Sequence, residues 1–349
     1  MTVTPEQSSQ DPLLQEQMLP KQRPSSAAAK IAVLTSGGDA PGMNAAVRSV
    51  VRVAAAAGIE VLGVQRAFEG LVCGKFIPLP SRAVANIIQR GGTILETSRS
   101  DQFRTPGGRA RAIENLHNHG VKALVIIGGD GSMHGGRALA EESDLKLMVI
   151  PASIDNDVPG TDFSIGFDTA VNTALDAIDR IRDTAFAHER LFFVEVMGRD
   201  SGFIALAVAI AGGAEAVVIP EMPVAPQDLV RRIEESQVRG KRGSIVVVSE
   251  GPRTGGAIKL CNAINGRFGE SPRAVVLGHI QRGGSPSARD RLLASRMGAA
   301  AVKAIVDGRP SSLVAESRGE ISYVPLPEVP EKSRPLDLEL LELVAMLSL

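Results

Sequence analysis

Cysteine is almost missing: Cys73 and Cys261 are the 2 cysteines among 349 residues, which excludes a disulfide framework or a metal site built on several thiolates. A reducing, cytoplasmic setting is the expectation that follows. A charge excess of either sign is missing too. Lys and Arg number 38 against 39 Asp and Glu, a net charge of −1, so no overall field favours nucleic acid or an acidic membrane. Long apolar runs are also absent: Glu215 interrupts the longest candidate, around 204–219, well short of the roughly 20 residues a membrane span needs. Residues 1–29 hold Glu, Gln, Asp and Pro without an apolar core, so they read as a mobile tail rather than a secretion signal or transit peptide.

Glycine is what the chain has in excess. Its 36 glycines cluster behind apolar runs, where they suit close approach of backbone to a ligand. At roughly 150 residues per domain the length predicts two domains. A strand, a glycine turn and a helix recur along the chain. The strand 31–34 runs into Thr35-Ser36-Gly37-Gly38-Asp39 and a helix over 43–57; the strand 123–127 runs into Gly128-Gly129-Asp130-Gly131-Ser132 and a helix over 134–141. The strand 191–196 then leads into Met197-Gly198-Arg199-Asp200-Ser201-Gly202 and a helix over 203–211. Such alternation predicts parallel α/β sheets. A glycine turn at a helix start offers N–H groups to an anion, although a plain tight connection needs the same glycines for geometry alone. The two Gly-Gly-Asp turns supply two phosphate-sized nests and two carboxylates able to hold Mg²⁺.

Further expectations concern charge. A helix over 83–89 precedes a basic loop bearing Arg99, Arg104, Arg109 and Arg111, suited to bidentate contact with phosphate. His279 and Arg282 stand in a glycine-rich turn with Arg273 nearby; a lone histidine is more often structural, but a cationic cluster suits phosphate. Additional helices are expected over 170–184, 226–238 and 288–306, with a helical tail over 336–347. Chemically the sharpest stretch is Pro151-Ala152-Ser153-Ile154-Asp155-Asn156-Asp157, directly behind the apolar run 147–150. Ligands of open parallel sheets bind beyond the carboxyl ends of strands, while an Asx-type turn would account for the same residues without a ligand.

Six runs in unbroken order carry a resemblance: LTSGGDAPGMNAAVR at 34–48, IGGDGS at 127–132, PASIDND at 151–157, IGFDTA at 165–170, VEVMGRDSG at 194–202 and LGHIQRGGSP at 277–286. Over about 30–310 the chain resembles the bacterial type of 6-phosphofructokinase. The resemblance implies two Rossmann-like, three-layer α/β domains with mainly parallel sheets and the active site in the cleft between them. One would comprise 30–166 with 281–331 and take nucleotide; the other, 167–280 with 332–349, would take sugar phosphate. The implied reaction moves the γ-phosphoryl group of Mg-ATP to the 1-hydroxyl of fructose 6-phosphate. Asp155 would be the general base, Arg199 would stabilise the transferring phosphoryl group with Ser153 beside it, and Asp130 would engage Mg²⁺. ATP would lie against Gly38, Arg99, Ser100, Gly129, Asp130, Gly131 and Ser132. The sugar phosphate would meet Ser153, Ile154, Asp155, Met197, Gly198, Arg199, Glu250, His279, Ile280, Gln281 and Arg282, with Arg190 and Arg273 reaching in from a neighbouring copy of a homotetramer. Arg48, Arg52, Arg182, Glu215, Arg239 and Lys241 match the family's effector site between subunits.

Departures from the family pattern bear on donor and regulation. Pyrophosphate-using relatives generally carry Asp at the position of Gly131 and Lys at that of Ala152, so Gly131 favours ATP: Asp there would crowd and repel the α-phosphate. Ser153 stands for a threonine and keeps its hydroxyl. Phe68 stands where a tyrosine often flanks adenine. Ser81 and Arg82 replace the usual Arg-Tyr pair of the effector site, which predicts weak or absent activation by ADP. A pyrophosphate-dependent enzyme and a catalytically silent sugar-phosphate sensor of the same fold are the rival readings; loss of the base or of the phosphoryl-stabilising arginine would mark the sensor, and both Asp155 and Arg199 are present.

Overall fold

The computed structural model describes residues 30–238, 243–268 and 271–348. The expected tail at 1–29, together with Arg239 and Lys241 of the expected effector set, lies outside the described residues. In chain order the first half holds β1 (Lys30–Ser36), α1 (Met43–Ala56), β2 (Glu60–Val64), α2 (Ala67–Cys73), β3 (Phe76–Pro78), α3 (Pro106–Asn118), β4 (Val121–Gly128), α4 (Asp130–Glu142) and β5 (Lys146–Pro151). Next come α5 (Phe167–Ala187), β6 (Leu191–Val196), α6 (Phe203–Ala211), β7 (Ala216–Val218), α7 (Pro226–Val238), β8 (Ser244–Ser249), α8 (Gly256–Ile264) and β9 (Arg273–Val276). The chain closes with α9 (Ala288–Val306), β10 (Ser312–Ser317), β11 (Glu320–Pro325) and α10 (Glu339–Leu347).

Two sheets result. The larger has the order β11-β10-β5-β4-β1-β2-β3, parallel except for the antiparallel pairs β10–β11 and β2–β3 at its two edges. The smaller, β7-β8-β6-β9, is parallel throughout. Strands buried on both faces read as apolar runs, and their alternate residues enter different cores. Ile31 and Val33 of β1 face one core while Ala32 and Leu34 face another, packed with Leu71 of α2, Leu116 of α3 and Met133 of α4. The first of these cores is shared: Val50 of α1, Ile178 of α5, Ile204 of α6 and Met297 of α9 join it, as do Val194 and Val247 of the smaller sheet. A third core lies on that sheet's far face, where Phe193 and Val246 meet Ile233 of α7 and Leu260 of α8. Two α/β/α sandwiches therefore share their middle helical layer. The terminal helix α10 packs on α6 and β7, which joins 339–347 to the smaller sheet. No helix among the described residues is long and apolar enough to cross a membrane.

Two expectations fail locally. The helix expected over 83–89 is a 3₁₀ turn at Ser81–Val84; Ala85 is extended and Asn86 is left-handed at φ 55°, so the chain cannot continue helically. The expected basic loop is half helix, because Arg109 and Arg111 lie on α3, with Thr105 as its cap accepting from the Gly108 N–H at 3.1 Å and Pro106 at its first position. Gly108 is required there: a Cβ would sit 1.9 Å from the Gln102 carbonyl oxygen. Gly108 therefore marks close packing in the fold, whereas Gly107 beside it has open space.

Candidate active site

Register brings the glycine turns together. Ser36 of β1 pairs with Gly128 of β4, which pairs with Pro151 of β5, so three strands end level and three polar segments emerge side by side. From the smaller sheet, β6 ends in the segment carrying Arg199, and the 3₁₀ turn Gly278–Arg282 follows β9. Between the two sets lies a cavity of about 1150 Å³, large enough for more than one drug-sized ligand. Among the expected site residues, Gly38, Arg99, Ser100, Gly129, Asp130, Gly131, Ser132, Ser153, Asp155, Arg199, His279 and Arg282 line it.

Asp155 sits at the seam. It is 4% exposed, and its Oδ1 has no hydrogen-bond partner among the described residues. Burial pushes its carboxyl up to about 6, with the charge of Asp157 adding to the shift and Arg282 and Arg199 opposing it. The side chains of Asp155, Asp157, Arg199 and Arg282 therefore share one electrostatic environment. Burial also raises Asp157, and the carboxylate of Asp130 raises it further. Asn156 is structural: left-handed at φ 54°, it accepts from the Ser164 N–H at 2.8 Å and donates to the Asp162 carbonyl at 3.2 Å. It closes the turn that aims its two neighbouring carboxylates.

On the side of the larger sheet, α4 points its amino end at the cavity with Asp130 in its first turn. Ser132 is buried and its Oγ has no hydrogen-bond partner among the described residues, a second orphaned polar atom at this cavity. Gly131 has open space where a Cβ would stand, so the room there is real rather than filled by protein. Phe68 stacks on Phe103 with centroids 4.2 Å apart, and Gly135 makes way for them, since a Cβ would come within 2.7 Å of the Phe68 ring. Phe103 and His134 escaped the sequence reading; with 10 Phe and 1 Tyr in the chain, the scarcity of aromatics was a usable signal for the first. His134 lies one helical turn from Asp130, Nε2 to Oδ1 3.4 Å. Arg109 lines the cavity but is engaged: its Nε is 2.9 Å from both Glu142 oxygens, and Nη1 donates to the Arg104 carbonyl. Arg111 does not line it.

The smaller sheet contributes less. Glu250 Oε1 accepts from the N–H groups of Gly198 at 3.4 Å and Arg199 at 3.1 Å, so it shapes the Arg199 loop from below. Met197, Gly198, Glu250, Ile154, Ile280 and Gln281 are not cavity-lining residues. Ile154 and Gln281 are fully buried, whereas Ile280 is 59% exposed outside the cavity. Arg190 precedes β6 and Arg273 pairs with Phe192 at its start, so both stand at the end of the sheet opposite Met197. Arg282 reaches across instead, donating to the Asp39 carbonyl at 3.2 Å. Of the expected effector residues, Arg48 and Arg52 lie one turn apart on α1. Arg182 on α5 donates to the carbonyl oxygens of Gly212 and Gly213, and Glu215 accepts from the Ile245 N–H at 2.5 Å. None of these four lines the cavity.

Three comparisons bear on what this arrangement is. The phosphofructokinase family profile matches residues 30–305. The ATP-dependent 6-phosphofructokinase 1 of Thermus thermophilus is 55% identical over 320 residues, spanning 92% of this chain and 99% of that protein. Among solved structures, phosphofructokinase from Pichia pastoris in its T-state superposes with a TM-score of 0.83 at 35% identity, covering 87% of this chain and 35% of the yeast chain. A pyrophosphate-dependent phosphofructokinase from Marinobacter aquaeolei shares the fold, with a TM-score of 0.78 at 23% identity over 91% of each chain. The same scaffold thus serves different phosphoryl donors, and the donor must be argued from side chains. The glycine turns, the orphaned Asp155 and Ser132 atoms and these matches converge: the chain belongs to the phosphofructokinase family.

Proposed function

We propose that this chain is an ATP-dependent 6-phosphofructokinase that moves the γ-phosphoryl group of Mg-ATP to the 1-hydroxyl of fructose 6-phosphate, giving fructose 1,6-bisphosphate and ADP. The observation that carries the reading is Asp155, a buried carboxylate with an unpartnered oxygen held between a glycine-turn wall and two arginines. Asp155 takes the hydroxyl proton through that oxygen. Its raised affinity for protons, about 6, makes it a stronger base than a solvated aspartate while leaving it ionised at neutral pH. Arg199 neutralises charge on the transferring group, which such a transition state needs more than covalent help. Ser153, whose hydroxyl donates to Asp157 at 3.3 Å and accepts from the Asp155 N–H at 3.3 Å, holds the two carboxylates in register.

ATP lies along the larger sheet's wall, its phosphates over Gly38, Gly129, Ser132 and the amino end of α4, its base beside Phe68. Gly131 supports ATP over pyrophosphate as donor, because the space at its Cβ position is where a carboxylate would meet the α-phosphate. Among the described residues no three His, Cys, Asp or Glu side chains are grouped to hold a metal alone. Mg²⁺ typically takes one or two carboxylates and completes its shell with phosphate oxygens and water, and the mutually repelling Asp130 and Asp157 fit that need. When bound, Mg²⁺ supplies charge neutralisation on the phosphates.

Fructose 6-phosphate enters beside His279 and Arg282, and its phosphate is completed by Arg190 and Arg273 of a second copy. The edge strand β9 supports this assembly: Arg273, Ala274 and Val276 are exposed on it, and such an edge is normally covered. A cytoplasmic homotetramer is the form we assign. An anion held by Arg48, Arg52 and Arg182 is the regulatory reading, with ADP activation weak or absent because Ser81 and Arg82, on an exposed 3₁₀ turn, stand in place of the family's usual Arg-Tyr pair; a clear sigmoidal-to-hyperbolic shift on adding ADP at low fructose 6-phosphate would contradict it. The deciding experiment for the reaction is fructose 1,6-bisphosphate formation with ATP or pyrophosphate. Product with ATP supports the reading, product with pyrophosphate alone overturns the donor, and no product with either leaves the sensor.

A further inference from the structure

Arg199 must be aimed by its surroundings, because its own backbone gives it no regular element to stand on. Gly198 and Arg199 both have positive φ, 153° and 54°, between the end of β6 and the start of α6. Glu250 holds their N–H groups from within the smaller sheet. Ser201 crosses directly to the larger sheet's side, and Gln281 ties the segment to the start of α5, which packs on β6 and β8 and is held by the start of α9. Gln281 is 0% exposed; its Oε1 accepts from the Met197 N–H at 2.8 Å, and its Nε2 donates to the Ala170 carbonyl at 3.3 Å. The hydroxyl of Ser201, 8% exposed, donates to the backbone carbonyl of Asp155 at 3.0 Å, while the Ser201 carbonyl accepts from Ser249 Oγ at 3.1 Å.

The Ser201 bond joins the segment of the base directly to the segment of the arginine, residue 155 to a residue two beyond 199. The Gln281 bond is anchored in a firm place. Ala170 belongs to the opening turn of α5, and the start of α9 is locked onto that turn by a reciprocal cap. Asp290 of α9 accepts from the N–H of Gly166 at 2.9 Å and of Thr169 at 2.8 Å, and from the Thr169 hydroxyl at 2.5 Å. In return Ser287, which caps α9, donates its hydroxyl to Asp168 at 2.6 Å and its N–H to Thr169 Oγ1 at 3.0 Å. Each helix thereby satisfies orphan donors of the other. A buried, satisfied polar network of this kind specifies one arrangement, because every alternative leaves unpaired groups in a low-dielectric interior.

We infer that Ser201 and Gln281 are positioning residues that set the separation of Arg199 from Asp155 across the seam between the two sheets. The inference rests on the reaction proposed above and goes beyond it. Neither side chain lines the cavity, and Gln281 Oε1 and Nε2 are both engaged with backbone groups, so the role inferred for it is positional. The energetic logic is positional. A displacement of about 1 Å of a reacting group costs up to roughly 10²-fold in rate, whereas most of the nucleotide contacts proposed above lie on the other wall, away from the Arg199 loop.

The test uses the full-length chain with Ser201→Ala, Gln281→Met and Ser201→Thr, reading kcat, both KM values, ATP affinity by titration calorimetry and the thermal midpoint. Ser201→Ala and Gln281→Met are each expected to lower kcat by about 10- to 100-fold, with the ATP dissociation constant within roughly twofold of wild type. Ser201→Thr, which keeps the hydroxyl, is expected to recover most of the loss. Full kcat in the folded fraction of both variants, with only a lower midpoint, would reduce these residues to a stabilising role and overturn the inference. Parallel loss of ATP binding and kcat would overturn it as well, by showing a general collapse of the site. Wild type runs beside them, so a failed reaction assignment shows in wild type itself and failed positioning only in the variants.

Discussion

The two walls of the cavity are built to different standards. On the larger sheet's wall, every residue expected to meet ATP lines the cavity of a single chain. On the smaller sheet's wall, Arg199, His279 and Arg282 line it, while Arg190 and Arg273 stand at the far end of their strands. The difference teaches where the chain is self-sufficient. The nucleotide site proposed above uses glycine turns at level strand ends, and one chain brings all of them to the cavity. In the reading proposed above, sugar-phosphate recognition draws also on Arg190 and Arg273, which the topology of one chain places away from the cavity, and a second copy would supply them. Asp155 is common to both walls, and breaking it has the largest effect.

Asp155→Asn keeps the shape and removes the proposed base. Turnover is expected to fall by about 10²- to 10⁴-fold, measured as bisphosphate formation at saturating ATP and fructose 6-phosphate. Stability is expected to move the other way. Because the folded-state pKa, about 6, lies above the usual 3.8, the ionised carboxylate opposes folding. That cost is absent below pH 3.8, grows between the two values and is complete above about 6. Asparagine is therefore expected to stabilise the protein at pH 7 by up to about 3 kcal/mol and hardly at all near pH 4, as read by denaturant unfolding at the two pH values. In wild type the same group makes kcat/KM fall about tenfold per unit below pH 6. Near-normal turnover of the variant would remove Asp155 from its role.

What the sequence made legible, and what it hid, follows the same division. Glycine turns, the level polar segments and Asp155 are local: each stands directly behind an apolar run, and backbone geometry ties residue type to place. Gln281 is harder to read, because its motif neighbours His279 and Arg282 line the cavity while the 3₁₀ turn carries its side chain into the interior. The strands β10 and β11 and the helices α2, α3 and α8 went unread. Their short patterns are set by long-range packing, as with Gly108 against Gln102. The stack of Phe68 on Phe103 joins residues 35 apart and leaves no periodic trace.

Breaking the nucleotide wall alone should take one carboxylate. Gly131→Asp is sterically free, with nothing within 4 Å of the added Cβ, so the fold is expected to be unchanged. In the proposed placement of ATP its charge would face the α-phosphate from beside Asp130. We expect kcat/KM for ATP to fall by roughly 10- to 100-fold, with the KM for fructose 6-phosphate little altered and any activity with pyrophosphate retained or raised. Steady-state kinetics with each donor in turn reads the outcome; undiminished ATP use would place the α-phosphate away from Gly131.

Breaking the other wall from outside gives the smallest effect and the sharpest form of the comparison. Arg273→Ala removes an exposed side chain from an edge strand, so the single chain loses no core contact. If a second copy completes the site, the KM for fructose 6-phosphate rises by about tenfold or more, a loss typical for a charge-assisted contact with phosphate, while the KM for ATP stays within roughly twofold. Mixing then separates a shared site from a private one. An Asp155→Asn copy is inert at its own base but still offers Arg273, and an Arg273→Ala copy keeps its base but lacks that arginine for its neighbour. Dissociated and reassociated together, each mixed pair holds one site with both groups intact, so at low fructose 6-phosphate the mixture recovers up to roughly a quarter of wild-type activity for random two-fold pairs. A private site would show no more activity in the mixture than the average of the two separate variants, and the sugar-side wall would then have to be complete within one chain.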